Sequence, residues 1–94
     1  MFLGVPYDLP MTPKTINQAE QAERIRVGTT LRTLRTTRGW KLGDFATALD
    51  ISYAYLSNIE AGRKPLPDRL LARAAKLLDV EQIAIKHPLK AEVA

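Results

Sequence analysis

The residues best placed to do chemistry lie in one stretch, Asp50 to Lys64. It reads as a tight turn, a serine (Ser52) able to cap a helix, a short helix with two faces, a glycine stop at Gly62 and two cations, Arg63 and Lys64. Leu56 and Ile59, three residues apart, give that helix an inner side. Tyr53, Ala54, Ser57 and Asn58 are left on the outer side. Small polar and aromatic groups on an exposed helix, with cations just past its end, suit insertion beside a nucleic-acid backbone.

Other chemistries find little to work with. The chain has no cysteine, which excludes disulfides and thiolate metal sites. Its one histidine, His87, stands before Pro88 near the C-terminus, and nothing is spaced to join it in a metal site or a triad. No carboxylate pair, nucleophile–base pair or glycine-rich phosphate loop is present. The sequence therefore predicts no catalytic residue, no metal and no cofactor, and a protein that is not an enzyme. No apolar run approaches the roughly 20 residues of a membrane span. The start, Met1 to Val5, lacks a basic region and is followed by Pro6 and Pro10. The expectation is a cytoplasmic protein.

The formal charge is +4, unevenly distributed. Between Arg24 and Lys64, eight basic residues (Arg24, Arg26, Arg32, Arg35, Arg38, Lys41, Arg63, Lys64) face three acids (Asp44, Asp50, Glu60). Residues 1–23 lean acidic, with Asp8, Glu20 and Glu23 against Lys14. A basic excess centred on the two-faced helix is the footprint of polyanion binding, or else of a merely soluble basic surface.

The elements that must carry this stretch are helices in a single domain. Residues 1–16 read as an extended or disordered arm. Pro6, Pro10 and Pro13 forbid a helix, while Leu3, Val5, Tyr7, Leu9 and Met11 alternate with the strand period. A disordered tail, an arm docking on a second subunit or partner, and a translation start at Met11 all remain open. Asn17 and Glu20 have the spacing of a capping box, so a first helix runs from there to about Arg38. Val27, Leu31 and Leu34 are its buried stripe, and Gly39 stops it. The part from Ala19 to Arg26 is less determined, because it mostly lacks large apolar residues. A second helix covers about Leu42 to Leu49, with Phe45, Ala46 and Leu49 inside. Asp50 takes the left-handed position between helices two and three. Pro65 to Asp68 is a rigid joint, and Asp68 favours the start of a fourth helix. Leu71, Ala74, Ala75 and Leu78 form its inner face. Val80, Ile83 and Ile85 carry the apolar set into a short fifth helix or turn. The expected organisation is an arm (1–16), a helix-turn-helix domain (17–86) and a tail (87–94).

The chain from about 28 to 80 resembles the Cro/cI-type (Xre-like) helix-turn-helix transcriptional regulators. The resemblance rests on Gly28, Leu31, Arg32, Leu34, Arg35, Gly39 and Trp40, then Phe45 and Ala46, then Ile51, Ser52, Tyr55, Leu56, Ser57, Ile59, Glu60, Gly62 and Pro65, ending in Leu78, Asp79 and Val80. It implies an all-α, compact four- to five-helix lambda-repressor-like domain, with residues 53–61 as the recognition helix in the major groove. Tyr53, Ala54, Ser57 and Asn58 match the base-contacting positions. Asn58 could pair with adenine, and Ala54 could meet a thymine methyl. Lys41, Ser52, Tyr55, Arg63 and Lys64 match phosphate-contacting positions, and for Tyr55 a half-buried core role is the alternative. Arg35 and Glu60 match an internal ion pair. Arg32 and Arg38 fall to the solvated face, with steering toward a DNA backbone as their other reading. Three residues depart from the family pattern: Leu42 replaces a glutamine that clamps phosphate, Lys41 replaces a serine or threonine cap, and Asp50 replaces the glycine of the turn.

The implied function is sequence-specific binding of double-stranded DNA by a small regulator, a repressor and a homodimer on a palindromic site. A protein partner could engage the arm. The alternative is a protein-binding helix-turn-helix module, such as an antitoxin or anti-activator, with weak DNA binding.

Overall fold

Five helices follow one another in residues 17–86, the part of the chain described by the computed structural model: α1 (Gln18–Thr37), α2 (Leu42–Leu49), α3 (Tyr53–Glu60), α4 (Asp68–Leu78) and α5 (Gln82–Lys86). No strand occurs among the described residues. The expectations for the arm (1–16) and for the tail with His87 lie outside them. The Asn17 side chain accepts the Glu20 amide at 2.8 Å and so satisfies one orphan donor of α1. From that cap the segment Ala19–Arg26 is helical: its Ala, Glu, Gln and Arg are good helix formers, and it continues into a turn anchored by Val27 and Leu31.

The four longer helices end in one way. Gly39, Asp50, Gly62 and Asp79 are left-handed, with φ of 82°, 61°, 83° and 58°. The next amide returns to the carbonyl five residues back: Trp40 to Arg35, Ile51 to Ala46, Arg63 to Asn58 and Val80 to Ala75, at 2.9–3.0 Å. This is the Schellman closure, which satisfies carbonyls the helix leaves open. Asp50 and Asp79 hold the strained position at a cost on the order of 1 kcal/mol relative to glycine.

The core is built from all five helices. Leu31, Phe45, Leu49, Leu56, Ile59, Leu70, Leu78 and Ile85 are fully buried. Trp40 tilts onto Phe45, with ring centroids 5.4 Å apart. Three expectations need correction. Leu34 is only half-buried, at the edge of the core. Leu70 joins the inner face of α4, because that helix packs on α2 along one side and α5 along the other and needs a wider apolar stripe. Ile83 is exposed while Ile85 is buried. Residues two apart on a helix face nearly opposite ways, so a one-turn α5 can bury only one of them.

The contact between α1 and α3 is unusually close. A β-carbon on Gly28 would lie 2.4 Å from the Ile59 carbonyl oxygen and 2.6 Å from that of Glu60. The backbone of α1 thus lies directly on the last turn of α3. Any side chain at position 28 pushes backbone against backbone, and no rotamer relieves it. Gly28→Ala is therefore expected to cost roughly 1–3 kcal/mol, as overpacking does. Urea denaturation reads this directly, and an unchanged midpoint would contradict the close approach.

Candidate nucleic-acid interface

The turn Asp50-Ile51-Ser52 joins α2 to α3 and fixes their angle. Ile51 packs against the core, and the Ser52 hydroxyl accepts the Tyr55 amide at 3.0 Å, starting α3 one residue later. Ala46 on α2 is buried, as required where α3 crosses closely. A brace absent from the sequence reading also holds the turn. Arg73 on α4 donates from Nη1 to the Leu49 carbonyl at 3.2 Å, filling an open acceptor at the end of α2. No local signal marks Arg73, because its acceptor is 24 residues away.

The eight residues of α3 divide between fold and surface. Leu56, Ile59 and Glu60 are buried. Tyr53 (61% exposed) and Ala54 stand in solvent, and Ser57 and Asn58 are half-buried further along. The four candidate base-contacting residues therefore share one outward side, widest at the N-terminal end. Tyr55 is half-buried against the core. Gly43 of α2 lies under the Tyr53 ring: a β-carbon there would sit 3.8 Å from Cδ2.

The inner side of α3 ends in a buried ion pair. Arg35 donates from Nε to Glu60 Oε2 at 2.7 Å and from Nη2 to Oε1 at 3.0 Å. Its Nη1 donates to the Trp40 carbonyl at 2.8 Å. The two side chains are 8% and 5% exposed. A bidentate pair with a third donor also engaged can offset much of the cost of desolvating both charges, whereas a single partner left alone cannot. The guanidinium is thus committed to the fold.

Further cations stand at the ends of α2 and α3. Lys64 is exposed beyond α3, and Lys41 is exposed at the start of α2, where it provides no side-chain cap. Arg63 is exposed but engaged: its Nη1 donates to Asn58 Oδ1 at 3.0 Å. Leu42 turns its apolar side chain to the core and lines a recess of about 240 Å³ with Arg32, Arg35, Ser57, Glu60 and Ala61. This places Arg32 on the same side of the molecule as α3. Its position one turn before Arg35 is the signal, since the partner of Arg35 fixes which face of α1 both share. Arg38 is exposed. Among the described residues no cluster of His, Cys, Asp or Glu could hold a metal ion, and no helix is long and apolar enough to cross a membrane.

This arrangement, two short helices joined by a tight turn with the second presenting an open polar side, is a helix-turn-helix. A family model described as "Helix-turn-helix domain" matches residues 26–87, more than half of the chain, and the chain belongs to that family. Solved structures agree. The restriction-modification controller protein C.AhdI from Aeromonas hydrophila is 25% identical over 68% of this chain and 97% of its own, with a TM-score of 0.64. The clp gene regulator ClgR from Corynebacterium glutamicum is 31% identical over 76% of this chain and 92% of its own, with a TM-score of 0.65. The hypothetical transcription factor NHTF from Neisseria, at 20% identity and a TM-score of 0.67 over 98% of this chain and 99% of its own, shares the fold. No curated protein matches the sequence. The resemblance to the Cro/cI-type (Xre-like) regulators holds at the level of family and fold.

The ion pair gives a sharp expectation. Glu60→Ala leaves a buried, unpaired guanidinium and should cost about 3–5 kcal/mol. The double change Arg35→Met, Glu60→Leu should recover most of that loss. Denaturant titration of the three chains checks both, and a mild effect of Glu60→Ala alone would show the pair to be solvated.

Proposed function

We propose that this chain is a sequence-specific, double-stranded-DNA-binding transcriptional regulator that lays α3 in the major groove. One observation carries the reading: Tyr53, Ala54, Ser57 and Asn58 stand outward along α3 while Leu56, Ile59 and Glu60 are consumed by the fold. In this reading Asn58 and Ser57 hydrogen-bond base edges and Ala54 meets an apolar base group. Lys41, Ser52, Tyr55, Arg63 and Lys64 contact phosphate, and the placement of Arg32 beside Ser57 adds it to that set. None of these groups performs catalysis, and no cofactor takes part. The protein works in the cytoplasm, on DNA.

We further propose a homodimer on a palindromic site. One short helix reads only a few base pairs, and two copies about one helical turn apart (roughly 34 Å) supply the missing affinity. Repression is the simplest outcome, since occupancy alone excludes other proteins from the same DNA.

A second reading is favoured by Leu42. The residue packs on the core where a polar side chain could have clamped a phosphate. A protein-binding helix-turn-helix module with weak DNA affinity fits that exchange. It predicts feeble, sequence-indifferent DNA binding and a stable complex with another protein.

Fluorescence titration against the DNA upstream of its own gene, and against random duplex, at two salt concentrations separates the two. The regulator shows a steep fall of affinity with salt and a large specific-over-random ratio. Equal, weak binding to every sequence would overturn it. Asn58→Ala should relax preference at one position in each half-site, by about 1–3 kcal/mol of discrimination. Lys64→Ala should weaken all sequences alike and reduce the salt slope by about one.

A further inference from the structure

The common ending of α1, α2, α3 and α4 singles out one side chain. In this closure the residue after the left-handed position lies over the last turn, against the side chain five residues back or its neighbour, and the contact is usually apolar. Trp40, Ile51 and Val80 are apolar there and pack against the core. After α3 the position holds Arg63, and the contact becomes a hydrogen bond, Nη1 to Asn58 Oδ1 at 3.0 Å. The backbone reinforces it: the Asn58 carbonyl accepts the amides of Arg63 at 2.9 Å and Lys64 at 3.2 Å. The loop beyond α3 is therefore locked onto Asn58 by backbone and side chain together.

That contact settles which way the amide points. A guanidinium carries donors only, so the amide oxygen must face Arg63 and the Nδ2 group must face away. A free asparagine could turn its amide over and offer either order of donor and acceptor. An asparagine held through its oxygen offers one. Oδ1 has a second lone pair and Nδ2 has two hydrogens, so an acceptor and a donor are offered in a fixed order. An acceptor beside a donor is what the N6 donor and N7 acceptor of adenine require.

We propose that Arg63 is a specificity-determining residue that positions the Asn58 amide, so that the two side chains select a base as a unit. The proposal rests on α3 being the recognition helix, as proposed above. It changes the role of Arg63 from a backbone grip alone to a grip that also sets what its neighbour reads. Lys64, which bonds to Asn58 only through its own backbone amide, supplies charge without that effect.

The test uses the duplex the protein selects from a randomised pool, and a panel in which each base pair of that duplex is changed in turn. Affinities are measured for the wild-type chain, Asn58→Ala, Arg63→Ala, Lys64→Ala and the double Asn58→Ala, Arg63→Ala. Arg63→Ala is expected to lower discrimination roughly tenfold at the same base pair that Asn58→Ala affects. The double variant should lose no more discrimination there than Asn58→Ala does. Lys64→Ala should weaken every duplex by one common factor and leave discrimination intact, which controls for loss of charge. If Arg63→Ala behaves like Lys64→Ala, with uniform weakening while Asn58→Ala is selective, the positioning role is overturned and the regulator reading survives. A wild-type chain that selects no sequence overturns both.

Discussion

The bidentate contact between Arg35 and Glu60 is the interaction on which the interface depends. It joins the last turn of the first helix to the last turn of the third, and through the Trp40 carbonyl it also holds the loop that leads into the second. Gly28 lets the two backbones meet beside it. An ion pair in this setting adds little net stability by itself, because removing two charges from water is costly. Its contribution is geometric. A guanidinium and a carboxylate that must satisfy one another in the dry allow few relative positions of α1 and α3. The side of α3 that carries Leu56, Ile59 and Glu60 is thereby fixed inside, and the side that carries Tyr53, Ala54, Ser57 and Asn58 is turned out.

The outward side is short and lightly armed. Eight helical residues span about 12 Å, close to the width of a DNA major groove. Its exposed side has no arginine or glutamine. The guanidinium that this surface lacks arrives instead from Arg63, carried by the closure after Gly62. In the proposed function, affinity is spread over cations on three segments: Arg32 on α1, Lys41 before α2, and Arg63 and Lys64 after α3. A surface of few base-reading groups and broad charge fits the proposed homodimer.

Much of this was legible in the sequence. Helix ends followed from Asn17, Gly39, Ser52 and Gly62, each a local signal with a local cause. Leu56 and Ile59 fixed the inner side of α3, and the spacing of Arg35 and Glu60 within the family pattern placed the ion pair. What escaped depends on contacts between distant segments. Leu70 is buried because α4 has neighbours on two sides, which no pattern within α4 reveals. Arg73 braces Leu49 across two loops. Arg32 reads as one more solvated cation until Arg35 orients its face. Asn58 and Arg63 were both visible as candidates, but their hydrogen bond needs the backbone closure that brings them together. Ile83 and Ile85 are equal in sequence and unequal in space, because a one-turn helix has a single inner side.

The outer side of α3, held in place by Arg35 and Glu60, is the surface proposed to meet DNA. Amide chemical-shift mapping of the isotope-labelled chain during titration with its selected duplex tests this most directly. Binding through α3 gives the largest saturable shifts at Tyr53 to Asn58, at Arg63 and Lys64, and around Lys41, with Ile83 and Ile85 little affected. Largest shifts on α4 and α5, with α3 unchanged, would contradict it.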